Sequence, residues 1–151
     1  MLLADLVKTL LRVQKRPWEP LGSTTFKIEE IAAGIEPDEC FYIQNYLAVI
    51  GRERLDLSVD PPPDLAIEME LTSKTEQEAY EALRVPELWI YRQGKLTINV
   101  LQGDRYVESK TSPTFSNLPL IELIPQFMQR AKEVGVSQAL EEFEELIKAA
   151  V

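Results

Sequence analysis

The sequence predicts an α/β protein with a mixed β-sheet flanked by helices and a helical C-terminal tail. Apolar residues recur at helical spacing near the start of the chain and again from residue 120 onward. Between these regions lie short apolar segments bounded by prolines and glycines, which are typical of strands. A helical segment separates two of those strands, and this order indicates a sheet with both parallel and antiparallel pairs.

The helices follow from apolar spacing and from capping residues. Two prolines within residues 15–22 end the first helix, whose apolar stripe is Leu3, Leu6, Val7, Leu10 and Leu11. Thr72 or Ser73 is a suitable N-cap for a helix that ends near Arg84. Residues 44–59 are ambiguous, but their apolar residues fit a helix better than a strand. The other predicted helices are 26–34, 120–135 and 137–151, with Gly34 and Gly135 as stops.

The strands are predicted from apolar segments that prolines or turns delimit. Pro37 precedes the first strand, and the run of three prolines at 61–63 precedes the second. The pairs Gln93-Gly94 and Gly103-Asp104 are turn sequences that join the last three strands into a meander. The predicted strands are 40–43, 64–71, 87–91, 95–101 and 105–109.

The composition limits the chemistry that the chain can perform. A length of 151 residues fits one domain, so we expect 1–151 to form a single domain. The chain has no histidine and one cysteine, Cys40. This excludes Ser-His and Cys-His nucleophile pairs, histidine zinc sites and iron–sulfur clusters within one chain. Catalysis would depend on carboxylates, lysine, tyrosine or an oxygen-bound metal.

The composition also bears on location and partners. A lone cysteine cannot form an internal disulfide and favours a reducing, cytoplasmic setting. No apolar run approaches the roughly 20 residues needed to cross a bilayer. Asp5 and Lys8 interrupt the apolar stretch at the start of the chain, so this stretch does not resemble a secretory signal. The net charge of −9 argues against indiscriminate coating of nucleic acid, although it leaves room for a local basic cleft.

Apolar and acidic side chains alternate in PPPDLAIEMELTSK, residues 61–74. Side chains two apart on a strand share a face, with Cα atoms about 6.6 Å apart, so Glu68 and Glu70 can converge on one ion. Asp64 lies further off, at the entrance of the strand. Asp38 comes within reach if its strand is a neighbour, because adjacent strands lie about 4.8 Å apart. The pattern alone does not distinguish a metal site from a solvent-exposed face.

Several linked motifs resemble a known family. EPDECFYIQN (36–45), PPPDLAIEMELTSKT (61–75) and RVPELWIY (84–91), in this order and at these spacings, resemble a bacterial restriction endonuclease-like family of the PD-(D/E)XK nuclease superfamily. The tail NLPLIELIPQF (117–127) is similar to the helical ending of that family, and the similarity spans residues 20–135. The resemblance implies a restriction endonuclease-like sheet flanked by helices, and a metal-dependent enzyme that hydrolyses phosphodiester bonds in DNA.

The resemblance implies roles for individual acidic residues. Asp38 matches the first acid of the family motif and Glu68 matches the second, so that together they would hold Mg²⁺ or Mn²⁺. The position of the motif lysine falls at Glu70. Many members of the family have an acidic residue at this position, so Glu70 would assist as a third ligand.

The lysine of the motif is displaced in some relatives to the following helix, about one turn before an aromatic residue. Tyr80 resembles that aromatic, but Glu76 stands one turn earlier. Lys74 is the nearest substitute. It would orient the attacking water or offset charge in the transition state.

A second departure from the family concerns the start of the chain. Relatives usually have strands and a helix with an acidic residue before anything that matches residues 3–12, so we expect these N-terminal strands to be lacking. The alternative function is therefore a catalytically inactive nuclease fold that acts as a DNA-binding or protein-interaction module. This alternative is favoured by the net charge of −9 and by the motif position of lysine being occupied by Glu70.

Three further features have two interpretations each. Trp89 and Tyr91 could stack on bases, but packing within the sheet is favoured because aromatics are common in strands. A solvated helix face is favoured over phosphate contact for the basic stripe of the first helix, Lys8, Arg12, Lys15 and Arg16. The apolar side of the last helix packs either on the core or on a second copy in a homodimer (Leu140, Phe143, Leu146, Ile147).

Overall fold

The structure of the chain, a computed structural model, describes residues 1–20, 37–52, 55–56 and 59–150. The short helix predicted over 26–34 lies outside these residues. The helices and strands that the structure describes, in chain order, are α1 (Leu2–Val13), β1 (Glu19–Pro20), β2 (Glu39–Tyr42), β3 (Leu65–Met69), α2 (Lys74–Leu83), β4 (Glu87–Arg92), β5 (Lys95–Gln102), β6 (Arg105–Ser109), α3 (Leu120–Val134) and α4 (Val136–Ala150).

The described strands form one mixed sheet in the order β1-β2-β3-β4-β5-β6. β3 and β4 are parallel because α2 carries the chain from the end of one strand to the start of the next. The other neighbouring pairs are antiparallel. The predicted α/β class, the mixed sheet and the meander of β4, β5 and β6 are confirmed. The sequence pattern did not predict β1, a strand of two residues at the edge of the sheet.

Helices cover both faces of the sheet. α1, α3 and α4 pack on one face, against side chains that include Leu65, Ile67 and Trp89. α2 covers the other face, where Tyr80 belongs to a second apolar cluster with Ala66 of β3. β3 is therefore buried on both faces, and its alternation does not identify a solvent-exposed side. Within the described residues, no helix is long and apolar enough to cross a membrane.

The last helix packs on its own chain. Phe143 and Ile147 of α4 are fully buried, and the Phe143 ring meets the Phe127 ring of α3 edge to face, with centroids 5.1 Å apart. Trp89 is also fully buried, with its ring against that of Phe115. Core packing is therefore confirmed for Trp89, Phe143 and Ile147, whereas Leu146 of α4 is 41% exposed.

Basic residues of the α1 stripe contact the rest of the chain. Arg12 forms an ion pair with Glu144 of α4. Arg16 donates a hydrogen bond to the Thr114 carbonyl, and its guanidinium lies 5.4 Å from the centroid of the Phe115 ring. Two of the four basic residues in the stripe thus have intramolecular partners.

The helix predicted over 44–59 is wrong for the described part of that segment. A single 3-10 turn, Tyr46–Ala48, is the helical structure found there. Leu47 and Ile50 expose 72% and 52% of their surface, whereas Val49 is buried. Because these apolar side chains share no surface to bury, their spacing does not stabilise a helix.

Candidate functional site

The end of β3 positions the candidate site. The sequence pattern predicts a strand that continues beyond Glu70, but β3 ends at Met69 because Glu70 adopts a left-handed backbone with φ of 58°. Ser73 then caps α2, since its side-chain oxygen accepts the Glu76 N–H. Glu68 is consequently the last acidic residue that the strand itself orients.

Asp38 and Glu68 lie opposite each other across two antiparallel strands. The register of β2 and β3 pairs Glu39 with Ile67, so the next pair outward is Asp38 with Glu68. Directly opposite residues in antiparallel strands have Cα atoms about 4.5–5.5 Å apart. Asp38 and Glu68 are close enough for the Asp38 carboxyl to raise the pKa of Glu68 through its charge and a side-chain hydrogen bond. The structure thus brings together the two residues predicted as metal ligands, hereafter the acidic pair.

One oxygen of each carboxylate in the acidic pair is held by a protein donor. The Met69 N–H donates to Asp38 Oδ2 at 2.7 Å. The Tyr80 hydroxyl donates to Glu68 Oε1, and Tyr80 is itself only 1% exposed. Each carboxylate therefore retains a second oxygen for a shared proton or cation.

Glu68 is a buried carboxyl group, only 8% exposed, whereas Asp38 is exposed. The pKa of the Glu68 carboxyl is raised from 4.5 to about 7, mainly by burial and also by the negative charges of Asp38 and Glu76. The hydrogen bond from Tyr80 acts in the opposite direction and lowers this pKa. The sequence pattern left open whether Glu68 lies on a solvent-exposed face of its strand. The burial of Glu68 shows that it does not.

The hydrogen bond from Tyr80 to Glu68 is a contact within the candidate site that the sequence pattern did not identify. The resemblance to the family assigned Tyr80 to its aromatic position. It did not predict which residue Tyr80 contacts in the fold. Tyr80 and Leu83 are the buried residues of α2, and this i, i+3 spacing marks the side of the helix that faces the sheet. That spacing is the signal from which a contact between Tyr80 and β3 could have been inferred.

Replacing Tyr80 with Phe is expected to raise the pKa of Glu68 further and to lower the free energy of unfolding by about 1–2 kcal/mol. The ring stays in place, but the donor that stabilises the ionised carboxylate is lost. NMR titration of ¹³C-labelled glutamate side chains measures the pKa, and urea unfolding measures the stability. An unchanged Glu68 pKa would contradict the role of this hydrogen bond.

Tyr42→Phe is a matched control for Tyr80→Phe. Tyr42 is fully buried, and its hydroxyl donates to the Pro61 carbonyl at 2.8 Å. Its loss removes a buried tyrosine hydroxyl of the same kind, so we expect a similar loss of stability. The pKa of Glu68 should not change in this variant.

Glu70 is directed to the hairpin between β4 and β5. Its carboxylate oxygen Oε1 accepts the Gln93 N–H at 3.2 Å, and its own N–H donates to the Tyr91 carbonyl at 2.8 Å. The left-handed backbone at Glu70 interrupts the alternation on which the prediction depended. The shared strand face predicted for Glu68 and Glu70 is therefore wrong.

Lys74 is the first residue of α2 and is exposed. No hydrogen bond or ion pair links its ammonium group to the rest of the described chain. Glu76, one turn before Tyr80, acts on Glu68 through its charge. In the described residues, the acidic pair thus has a tyrosine donor but no lysine in contact with it.

The acidic pair fits a hard divalent cation. Mg²⁺ is usually bound by one or two carboxylates and completes its shell with water and substrate phosphate. The contact between Asp38 and Glu68 supplies two oxygen donors, and a cation would relieve the repulsion that helps to raise the Glu68 pKa. No group of three or more acidic, cysteine or histidine side chains among the described residues is arranged to hold a metal. The acidic pair would supply two ligands.

Comparisons with known proteins agree with the fold and with the motifs. A crystal structure of "a putative nuclease belonging to DUF820 from Anabaena variabilis" is similar to the chain, with a TM-score of 0.51 and 14% sequence identity. The similarity covers 92% of this chain and 79% of that chain, and it shows a nuclease-like α/β fold. No curated protein matches the sequence. The model of the family described as "Uma2: Putative restriction endonuclease" matches residues 1–132. The chain therefore belongs to the Uma2 family.

Proposed function

We propose that the chain is a metal-dependent endonuclease that hydrolyses phosphodiester bonds in DNA. The observation that carries this proposal is the contact between Asp38 and Glu68 at the end of β3. Carboxylates that share a site repel each other unless a proton or a cation lies between them. The arrangement favours Mg²⁺ or Mn²⁺ as the cation, and the family description supports the class of reaction.

Each residue of the candidate site would have its own role in the reaction. Asp38 and Glu68 would hold the ion through the oxygens that Met69 and Tyr80 do not engage. When bound, such an ion would lower the pKa of the attacking water and stabilise charge on the phosphoryl oxygens. Tyr80 keeps the Glu68 carboxylate in one orientation, which reduces the reorganisation that binding requires. Lys74 is the residue proposed to orient the attacking water or to offset charge in the transition state.

Asp38→Ala is expected to abolish binding of Mg²⁺ and Mn²⁺ at millimolar concentration and to lower plasmid nicking by at least about 100-fold. One buried carboxylate with a raised pKa is a poor metal site without its partner. Isothermal titration calorimetry measures metal binding, and conversion of supercoiled plasmid to open circles measures nicking.

Asp104→Ala is the control for this experiment. Asp104 is an exposed aspartate that pairs with Arg84, at the end of β5 opposite to Lys95. We expect it to bind metal and to nick plasmid as the wild type does. Absence of metal heat in the wild type would overturn the proposal. Equal nicking by wild type and Asp38→Ala would assign the activity to a contaminant.

A second candidate function is a nuclease fold without catalysis that binds DNA or another protein. Two observations favour it. Glu76 stands where the helix of some relatives carries the lysine, and no lysine of the described chain contacts the acidic pair. The nicking assay separates the two functions, because DNA binding without cleavage in saturating Mn²⁺ would favour this one.

A further inference from the structure

Two basic residues lie on the same face of the sheet as Glu68. Arg92 of β4 and Lys95 of β5 are directly opposite each other across the hairpin. Ile90 pairs with Glu68 on one side and with Thr97 on the other. Because side chains alternate along a strand, Arg92 and Lys95 project from the face that α2 covers, as Glu68 does.

The two basic residues are also close to the acidic pair. Glu68 lies beside Ile90 in the parallel register, and Arg92 is two residues further toward the end of the sheet. With strands about 4.8 Å apart and a rise of about 3.3 Å per residue, the Cα atoms of Glu68 and Arg92 are about 8 Å apart. A long side chain at this position reaches phosphates adjacent to one that is bound at the acidic pair.

The hairpin that carries these residues is held firmly at the site. Gln93 and Gly94 form its two-residue turn with φ of 52° and 74°, which is the backbone of a tight hairpin turn that matches the twist of its strands. Glu70, directly after β3, donates its N–H to the Tyr91 carbonyl and accepts the Gln93 N–H. The tip of the hairpin is therefore tied to the end of the strand that carries Glu68.

The two basic side chains of this hairpin have no ion-pair partner within the described chain. Arg92 and Lys95 are exposed, and neither forms an ion pair with a described residue. Like charges directly opposite each other destabilise a strand pair. The pair occurs in a protein with a net charge of −9, where acidic partners are plentiful. An anion between the two side chains would remove their repulsion.

We propose that Arg92 and Lys95 bind backbone phosphates of DNA next to the acidic pair. The inference rests on the proposed function, which makes DNA the substrate. A guanidinium forms paired hydrogen bonds with phosphate oxygens, and an ammonium binds phosphate as a compact charge. The hairpin would thus place the DNA strand so that one phosphate lies at the acidic pair. Such contacts depend on the backbone and are independent of base sequence.

The test compares the double variant Arg92→Gln, Lys95→Gln with the control double variant Lys15→Gln, Arg105→Gln. Each removes two exposed positive charges and changes the net charge from −9 to −11. The control residues lie away from the site: Arg105 pairs with Gln102 at the far end of β5, and Lys15 precedes Arg16, which contacts Thr114 beside the start of β4. Fluorescence anisotropy with a labelled DNA duplex, without divalent ions, measures the dissociation constant at several salt concentrations.

The expected result is that the Arg92, Lys95 variant binds DNA roughly tenfold more weakly than the wild type at low salt. The slope of the logarithm of affinity against the logarithm of salt concentration should fall by about 2, because about two phosphate contacts are lost. The control variant should change much less. Equal weakening in both variants, no weakening in either, or no DNA binding by the wild type would overturn the proposal.

Thermal unfolding shows that a binding defect does not come from misfolding. Because the substitutions remove a repulsive pair, the Arg92, Lys95 variant should melt at or above the wild-type temperature. Metal binding by calorimetry separates this inference from the proposed function. If the wild type binds no metal but the DNA-binding difference persists, only the nuclease chemistry fails. If metal binding and nicking are present but the variant binds DNA normally, only the role of the hairpin fails.

Discussion

Glu87→Ala is expected to lower the free energy of unfolding by about 3–5 kcal/mol. Glu87 begins β4 and is only 2% exposed. The Trp89 indole N–H and the Ser112 hydroxyl donate to its Oε2, and the N–H and hydroxyl of Thr114 donate to its Oε1 at 3.2 and 2.7 Å. Truncation leaves these donors without their acceptor, and an unsatisfied buried group costs about 1–3 kcal/mol.

Chemical or thermal unfolding of matched variants measures this effect. Glu108 of β6 is exposed, and its side chain has no hydrogen bond within the described chain, so Glu108→Ala should change stability by about 0.5 kcal/mol or less. Glu87→Gln retains one acceptor oxygen and should lie between the two. If Glu87→Ala were as stable as Glu108→Ala, the hydrogen bonds to Glu87 would contribute nothing to stability.

The Glu87 hydrogen bonds serve the fold rather than the candidate site. They tie the start of β4 to Ser112 and Thr114, in the segment that leads to α3. The acidic pair lies at the opposite end of the sheet, where β3 ends. Any Glu87 variant that still folds should therefore retain the metal binding of the wild type, and calorimetry tests this.

Without divalent ions, ionisation of Glu68 is expected to lower the free energy of unfolding by about 3 kcal/mol as the pH rises from about 4 to about 8. The pKa of this carboxyl is about 7 in the folded protein, against 4.5 without the fold. Burial is the main cause, because it disfavours the charged form.

The direction follows from the protons bound in each state. Below pH 4.5 Glu68 is protonated in both states, and its contribution to stability is fully present. Between pH 4.5 and about 7 the unfolded chain releases this proton while the folded protein keeps it, so stability falls as the pH rises. Above about pH 7 both states are ionised, and the loss is complete.

Glu68→Gln isolates this titration from those of other groups. The amide keeps an acceptor for the Tyr80 hydroxyl but carries no proton that titrates in this range. The difference in unfolding free energy between wild type and Glu68→Gln should therefore shrink or change sign with rising pH. A difference that is constant with pH would contradict the raised pKa. Mg²⁺ should stabilise the wild type more at pH 8 than at pH 5, because it binds the ionised pair.

Order and type of most elements could be predicted from the chain because their signals act locally. The turn at Gln93-Gly94, the stop at Gly135 and the Ser73 cap all lie where the pattern predicted them. The prediction of a helix over residues 44–59 was wrong because the apolar residues of this segment share no buried surface in the fold. The predicted end of β3 was wrong because Glu70 adopts a left-handed backbone. Glutamate rarely adopts this backbone, so the sequence gives no sign of it.

Hydrophobic periodicity, turn residues and helix caps each depend on residues that are close together in the chain. The amino-acid order was therefore enough to establish the α/β class, the meander and the helical tail. The motifs were enough to predict Asp38 and Glu68 as candidate metal ligands. Their contact, the burial of Glu68 and the hydrogen bond from Tyr80 depend on segments distant in the chain, and so does the basic pair at the hairpin. Whether a carboxyl group is charged or protonated depends on what the fold packs around it, and no local pattern contains that information.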